Sequence, residues 1–199
     1  MNNYFSPSAD RNKKAILGAL KPELSAGQLV LEIGSGTGQH ASYFASSMPE
    51  IFWQPTELES NIAAINSWRA EQPTENFRKP LILDVDSFPW SITNADVCYT
   101  CNTLHIISIT SINSLFKGCS AALKSAGKLC VYGPFSIDDQ HSSQSNIEFD
   151  QQLRLSDPAK GVRDLTKLDS MAQQHEFKPC RYTAMPANNL FVVWELLSG

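Results

Sequence analysis

Apolar and polar residues alternate along this chain in short blocks. The stretch Gln28 to Ile33 (QLVLEI) is nearly continuous in apolar residues and runs into a glycine cluster, the pattern of a strand buried on both faces of a parallel sheet. Further strands are predicted at Phe52 to Thr56, Pro80 to Val85, Asp96 to Cys101 and Lys128 to Tyr132. Helices are predicted between them at Gln39 to Ser47, Asn61 to Arg69 and Ser111 to Lys124. Ser6 and Pro7 fit a helix start, and Ala15, Ile16, Ala19 and Leu20 recur at helical spacing until Lys21-Pro22 ends the run. Strands alternating with helices imply βαβ crossovers and a largely parallel sheet.

The last third reads differently. The polar stretch Ser136 to Asn146 (SIDDQHSSQSN) is too long for a tight connection and predicts a binding loop or lid over about residues 134–163. A helix follows over Leu165, Leu168, Met171 and Ala172, with Asp164 as its cap. Two strand-like runs, RYTAM and LFVVWELL, flank PANN and predict an antiparallel hairpin.

Composition narrows the choice of partner. The 199 residues suit a single domain. A net charge of −4 supplies no global basic face, so nucleic acid is not expected as a partner. No run reaches the roughly 18 apolar residues that span a bilayer, and the N-terminus lacks the apolar core of a secretory signal. Cys98, Cys101, Cys119, Cys130 and Cys180 make an odd count, mostly within apolar runs. A reduced, cytoplasmic protein with no membrane partner is expected. Cys98 and Cys101, three apart in one strand, point to opposite faces and make no metal pair, so no metal is expected. Oligomeric state is left open.

Chemistry concentrates in LVLEIGSGTGQH, residues 29–40. Gly34, Gly36 and Gly38 lie on a strand-to-helix turn, where the backbone can approach a ligand closely. The spacing is G-x-G-x-G, not the G-x-G-x-x-G of a dinucleotide fingerprint, which argues against a nicotinamide oxidoreductase, and there is no G-K-[ST] for a phosphate loop. Glu32 falls inside the buried strand and needs a hydrogen-bond donor, from backbone or from a cofactor amino group. With it the motif reads E-x-G-x-G-x-G and resembles motif I of class I S-adenosylmethionine-dependent methyltransferases.

That resemblance implies further positions. Glu57, 21 residues after Gly36, would accept hydrogen bonds from ribose hydroxyls, with Glu59 as a rival. Asp84 would approach the adenine amine, or else serve only as a strand-end cap. Asn102 would lie near the methionine end. The stretches SPSADRNKKAIL, EIGSGTGQHASYFA, WQPTE, CNTLHI, YGPF, SNIEFDQQLR, GVRD and MPANN, spread over residues 6–196, are similar to the family called domain of unknown function 938, or methyltransferase-like 26. The family usually reads Ser-Asp after W-Q-P, where this chain has Thr56-Glu57, one methylene longer at the carboxylate.

The resemblance implies a Rossmann-like α/β fold: a mostly parallel seven-stranded sheet with an antiparallel C-terminal hairpin and helices on both faces. It implies S-adenosylmethionine as cofactor and S-adenosylhomocysteine as product; the family has no substrate to offer, and a small polar molecule is the methyl acceptor expected here. His105 and Tyr132 would face that acceptor, His105 being either its base or a structural histidine. Arg154 would act with them as a catalytic residue, and Arg154 and Arg163 would clamp an anionic acceptor, or else form salt bridges with Asp150 that hold the lid. Arg11, Asn12, Asn146, Asp150 and Asn188 complete the expected substrate-binding set. The rival reading is a protein that binds this cofactor without transferring a methyl group, as a sensor or partner subunit. Trp53, Trp90 and Trp194 are expected in the core.

Overall fold

The computed structural model describes residues 4–198. Its first strand, β1 (Leu29–Ile33), lies inside the sheet and is buried at all but its first position. Period-two alternation sends successive side chains to opposite layers. Leu31 and Ile33 enter a cluster with Ile112, Leu115 and Phe116, while Val30 packs with Ile16, Leu20, Phe44 and Trp53.

Around β1 the chain builds α1 (Pro7–Leu20), α2 (Gln39–Ser47), β2 (Phe52–Glu57), α3 (Ile62–Glu71), β3 (Leu81–Ile82), β4 (Ala95–Cys101), α4 (Ile109–Ala122) and β5 (Leu123–Gly133). There follow β6 (Phe135–Ile137), β7 (Gln140–His141), α5 (Gln144–Ser156), β8 (Arg163–Asp164), α6 (Leu165–Gln173), β9 (Arg181–Met185) and β10 (Asn189–Glu195). The main sheet has seven strands in the order β3-β2-β1-β4-β5-β10-β9. Neighbours from β3 to β5 are parallel, and β10 pairs antiparallel with both β5 and β9. The order reverses at β1, so the carboxyl ends of β1 and β4 open a crevice between them.

Short side chains start the helices where the sequence places them. Ser6 accepts a hydrogen bond from the Ala9 amide, and Asp164 accepts one from the Lys167 amide at 3.1 Å. Trp53, Trp90 and Trp194 are all buried. Cys98 and Cys101 pack against opposite layers, and the five cysteines are free thiols. Among the described residues no group of histidine, cysteine and carboxylate side chains could hold a metal ion. Among them, too, no helix is long and apolar enough to cross a membrane.

Two elements differ from the sequence reading. The strand expected over Pro80 to Val85 shrinks to Leu81–Ile82, an exposed edge pairing only with β2. The chain leaves the sheet at Asp84, whose carboxylate and carbonyl accept from the Asp86 and Ser87 amides, while Leu83 and Val85 pack beside the α4 layer. Ser136 to Asn146 is not a loop. It forms the β6–β7 hairpin and the first turn of α5, with Ser143 as cap, and β8 joins β6 to complete a small three-stranded sheet. Helix α5 escaped notice because Asn146 is its only buried residue, so it carries almost no apolar periodicity.

Candidate functional site

The turn after β1 is held by the end of β2. The Ser35 amide donates to the Thr56 carbonyl at 2.9 Å, and the Gly36 amide donates to the Glu57 carboxylate at 2.6 Å. The other Glu57 oxygen accepts from the Leu58 amide at 2.8 Å. Glu57 is therefore the acidic residue beside the turn, and Glu59 lines neither of the compartments that meet there. Gly38 begins α2 at φ +85°, with its Cα turned onto Ile65: a Cβ there would stand 2.9 Å from the Ile65 Cα. Gly36, at φ +56°, faces open space.

That open space is a cleft of two lobes which share Gly34, Gly36, Cys101 and Asn102. The larger, about 430 Å³, is walled by Leu58, Ile106 and Ile107 with Glu57, Asp84 and Asn102 at its polar positions. The smaller, about 270 Å³, is the more polar of the two and runs between the glycine turn and the start of α1, past Ser6, Ser35, Gln39 and His40. Asn102 ends β4 in a left-handed conformation, φ +57°, fixed by its amide donating to the Tyr132 carbonyl at 2.8 Å. Asparagine is among the residues that adopt this conformation readily, so the turn out of the strand costs little here.

The floor of the polar lobe carries Glu32. One of its oxygens accepts from Trp53 Nε1 at 2.9 Å and from Ser35 Oγ at 2.8 Å. Both donors are side chains of the protein, not the backbone donor that the sequence allows, and the second carboxylate oxygen keeps its acceptor capacity beside the lobe. Burial raises the Glu32 pKa to about 7. His40 closes one side: its Nε2 lies 3.2 Å from the Ala9 carbonyl and 2.7 Å from Asn12 Oδ1. A carbonyl only accepts, so Nε2 carries the hydrogen, and burial lowers the ring's pKa to about 4, leaving it neutral. With the Ser6 amide donating to Gln39 Oε1 at 2.6 Å, these bonds tie α1 across the lobe. Sequence reasoning did not single out His40, although its place directly after the glycine motif is the signal that would have done so.

The other expected residues separate into three places. His105, Tyr132 and Asn12 gather at the carboxyl ends of β4 and β5. A Cβ on Gly133 would lie 3.6 Å from Asn102 Oδ1 and 4.0 Å from His105 Nδ1, and Tyr132 hydrogen-bonds Asn12. His105 is buried edge-on to Phe149 of α5, and burial, reinforced by the Arg163 charge, lowers its pKa to about 4. Asn146 ties α5 to the β9–β10 turn, donating to the Asn188 carbonyl at 3.0 Å, and Asn188 donates to Ser145 Oγ at 3.4 Å. Arg154, Asp150 and Arg163 lie apart from both lobes, with residues 103–109 in between. Arg154 Nε donates to Asp150, and Arg163 donates to the carbonyls of Leu104, Ile107 and Ala159. Arg11 is exposed on α1.

Known proteins carry the same architecture. Structural similarity is found to the S-adenosylmethionine-dependent methyltransferase SibL in its apo form, with a TM-score of 0.81, 16% identity and coverage of 96% of this chain and 56% of that one. Human N-acetylserotonin methyltransferase in complex with S-adenosylmethionine gives 0.78, 14%, 96% and 53% in the same order. PigF with S-adenosylhomocysteine gives 0.78, 17%, 96% and 64%. The chain thus spans between about half and two thirds of the length of these proteins, and at such identities the likeness is one of fold. A family model described as "Protein of unknown function (DUF938)" matches residues 3–196. By that match the chain belongs to the DUF938 family, on the Rossmann-like fold of the class I methyltransferases.

Proposed function

We propose that the cleft binds S-adenosylmethionine and that the protein transfers its methyl group to a small polar acceptor. The observation that carries this reading is the junction at Gly36. There one backbone amide is fixed by Glu57, while a positive φ and an open Cα side leave room for a ligand that continues from one lobe into the other.

The residues present fit such a ligand. An adenosine suits the larger lobe, whose apolar wall would take the base and whose Glu57 would accept from ribose hydroxyls. Asp84, already capping the turn to Asp86, keeps carboxylate capacity for an amino group. A zwitterionic amino-acid end suits the polar lobe, where Glu32 and the hydroxyls of Ser6 and Ser35 offer acceptors and donors. When bound, the sulfonium supplies an activated methyl group. The protein has to hold the acceptor in line, exclude water and accept a proton where the acceptor loses one. Asn102 stands between the lobes to orient the reacting ends. Asn12, bonded to both His40 and Tyr132, closes the site from α1. His105 stays an uncharged imidazole near neutral pH, in the form that takes a proton.

Incubating the protein with methyl-labelled S-adenosylmethionine and a pool of small metabolites tests the proposal. Label is expected to appear on a small molecule. His105→Ala is expected to slow that transfer by about 10²-fold or more, the usual contribution of a positioned general base, with S-adenosylhomocysteine affinity unchanged. Cofactor binding without transfer to any fraction would leave the non-enzymatic reading in place.

A further inference from the structure

A second cavity, of about 220 Å³, opens behind the 103–109 segment and belongs to neither lobe of the cleft. Its wall comes from α5, β6 to β8 and the starts of α4 and α6. Arg154, Arg163, Lys167 and His141 face it, together with Asp139 and Asp164. We propose that this cavity is a binding site for an oxyanion, a carboxylate or phosphate group gripped by the free N–H edges of Arg154 and Arg163.

The hydrogen-bond inventory carries the argument. Arg154 uses only Nε, on Asp150 at 2.8 Å, so its outer Nη edge has no protein acceptor. Asp150 cannot turn to chelate it, because its second oxygen accepts the Val162 amide at 2.7 Å. The guanidinium is also seated. It lies against Gly161, at φ +145°, where a Cβ would stand 2.7 Å from Arg154 Cζ and Nη2. A side chain at that position would push the guanidinium away. Arg163 spends Nε and Nη2 on the three carbonyls named above and keeps Nη1. The charges of the two arginines act on each other: burial first and Arg154 second lower the Arg163 pKa.

Two further groups point the same way. His141 lines the same wall, and its buried Nδ1 has no hydrogen-bond partner; the tautomer with its hydrogen there makes it a donor to an anion. Lys167 pairs with Asp139, but both are largely exposed, so that ion pair is weak and easily exchanged. The acceptors on the wall are mostly spoken for. Asp164 takes the Ser136 hydroxyl and the Asp139 and Lys167 amides. Arg154, Arg163 and Lys167 are matched in number by Asp139, Asp150 and Asp164, so selectivity rests on aimed donors rather than on net charge. The anion has two sources of the same chemistry: the far end of the methyl acceptor, or a free anion. Arg163 holds the Leu104 and Ile107 carbonyls, and Ile107 lines the larger lobe, so this side chain connects the cavity to the wall of the cleft.

Titration of the full chain with inorganic phosphate and with acetate, followed through arginine Nε–H resonances, tests the site, which stands independently of the cofactor proposal. Saturable shifts of the Arg154 and Arg163 signals are expected. Arg154→Gln should weaken binding by about tenfold or more, the scale of a charge-assisted bidentate contact, whereas Lys14→Gln, an exposed charge on α1, should not. Arg163 is left intact because it holds the 104–107 backbone. Repeating the titration with S-adenosylhomocysteine separates the sources. Affinity that rises assigns the anion to the acceptor, and unchanged affinity assigns it to a free anion; both support the site. No saturable shift with either probe, or equal weakening by both substitutions, would overturn it. S-adenosylhomocysteine binding measured in the same samples reports on the cleft separately.

Discussion

Gly36→Val is expected to abolish S-adenosylhomocysteine binding while the protein stays folded. Gly36 sits at φ +56° with open space beside its Cα, so a Cβ there meets no protein atom within 4 Å. The cost to the fold is the left-handed backbone alone, roughly 1–2 kcal/mol. The same side chain would fill the junction of the two lobes, where a ligand spanning both has to pass, and a loss of affinity of at least about 100-fold follows. Gly38→Ala, two residues on, should behave in the opposite way. Its Cβ would meet the Ile65 backbone at 2.9 Å, in addition to the strain of φ +85°. A loss of roughly 3 kcal/mol or more is expected from overpacking and backbone together. Denaturant midpoints and ligand titrations on the two variants separate these roles. Undiminished affinity in Gly36→Val would show that the ligand does not cross this turn.

The second large effect concerns Glu32 and pH. Its ordinary pKa of 4.5 rises to about 7 on folding because burial disfavours the carboxylate. A group that folding holds protonated adds stability in full below pH 4.5, and that stability is lost as pH rises through 7. The difference amounts to about 3 kcal/mol. His40 and His105 act in the opposite sense. Burial lowers both from 6.5 to about 4, so their contribution is lost as pH falls between those values. The comparison that isolates Glu32 is therefore wild type against Glu32→Gln. The amide carbonyl can still accept from Trp53 and Ser35, and the variant has no charge to expose. Glu32→Gln is expected to match wild type near pH 4.5 and to exceed it by about 3 kcal/mol above pH 8. Parallel stability curves would contradict this. A destabilising carboxylate on the floor of the polar lobe is well placed to meet a cationic ligand group, so the more stable variant should bind S-adenosylmethionine less tightly.

Much of this was legible in the sequence because the signals were local. A nearly unbroken apolar run before glycines locates β1, and α2 starts and ends at the predicted residues because the glycine turn fixes its beginning. Glu57 was found by its distance from the turn, and its bond to the Gly36 amide makes it the residue beside the cleft in preference to Glu59. What escaped depended on tertiary contact. Helix α5 buries a single polar residue and so has no apolar stripe to read. Edge strand β3 is exposed and held from one side, which let Leu83 and Val85 turn into the core instead of extending it. His40 became part of the polar lobe only when α1 folded across it. The sequence paired Arg154 with Arg163 and with an anion, but the 103–109 segment that separates them from the cleft is visible only in three dimensions.

Calorimetric titration of the purified protein with S-adenosylmethionine and S-adenosylhomocysteine, with NADH as control, tests the central claim most directly. The two-lobed cleft predicts saturable binding of the first two, with dissociation constants on the order of micromolar, and none of NADH. A folded, ligand-free sample that binds neither, or that binds NADH instead, would contradict it.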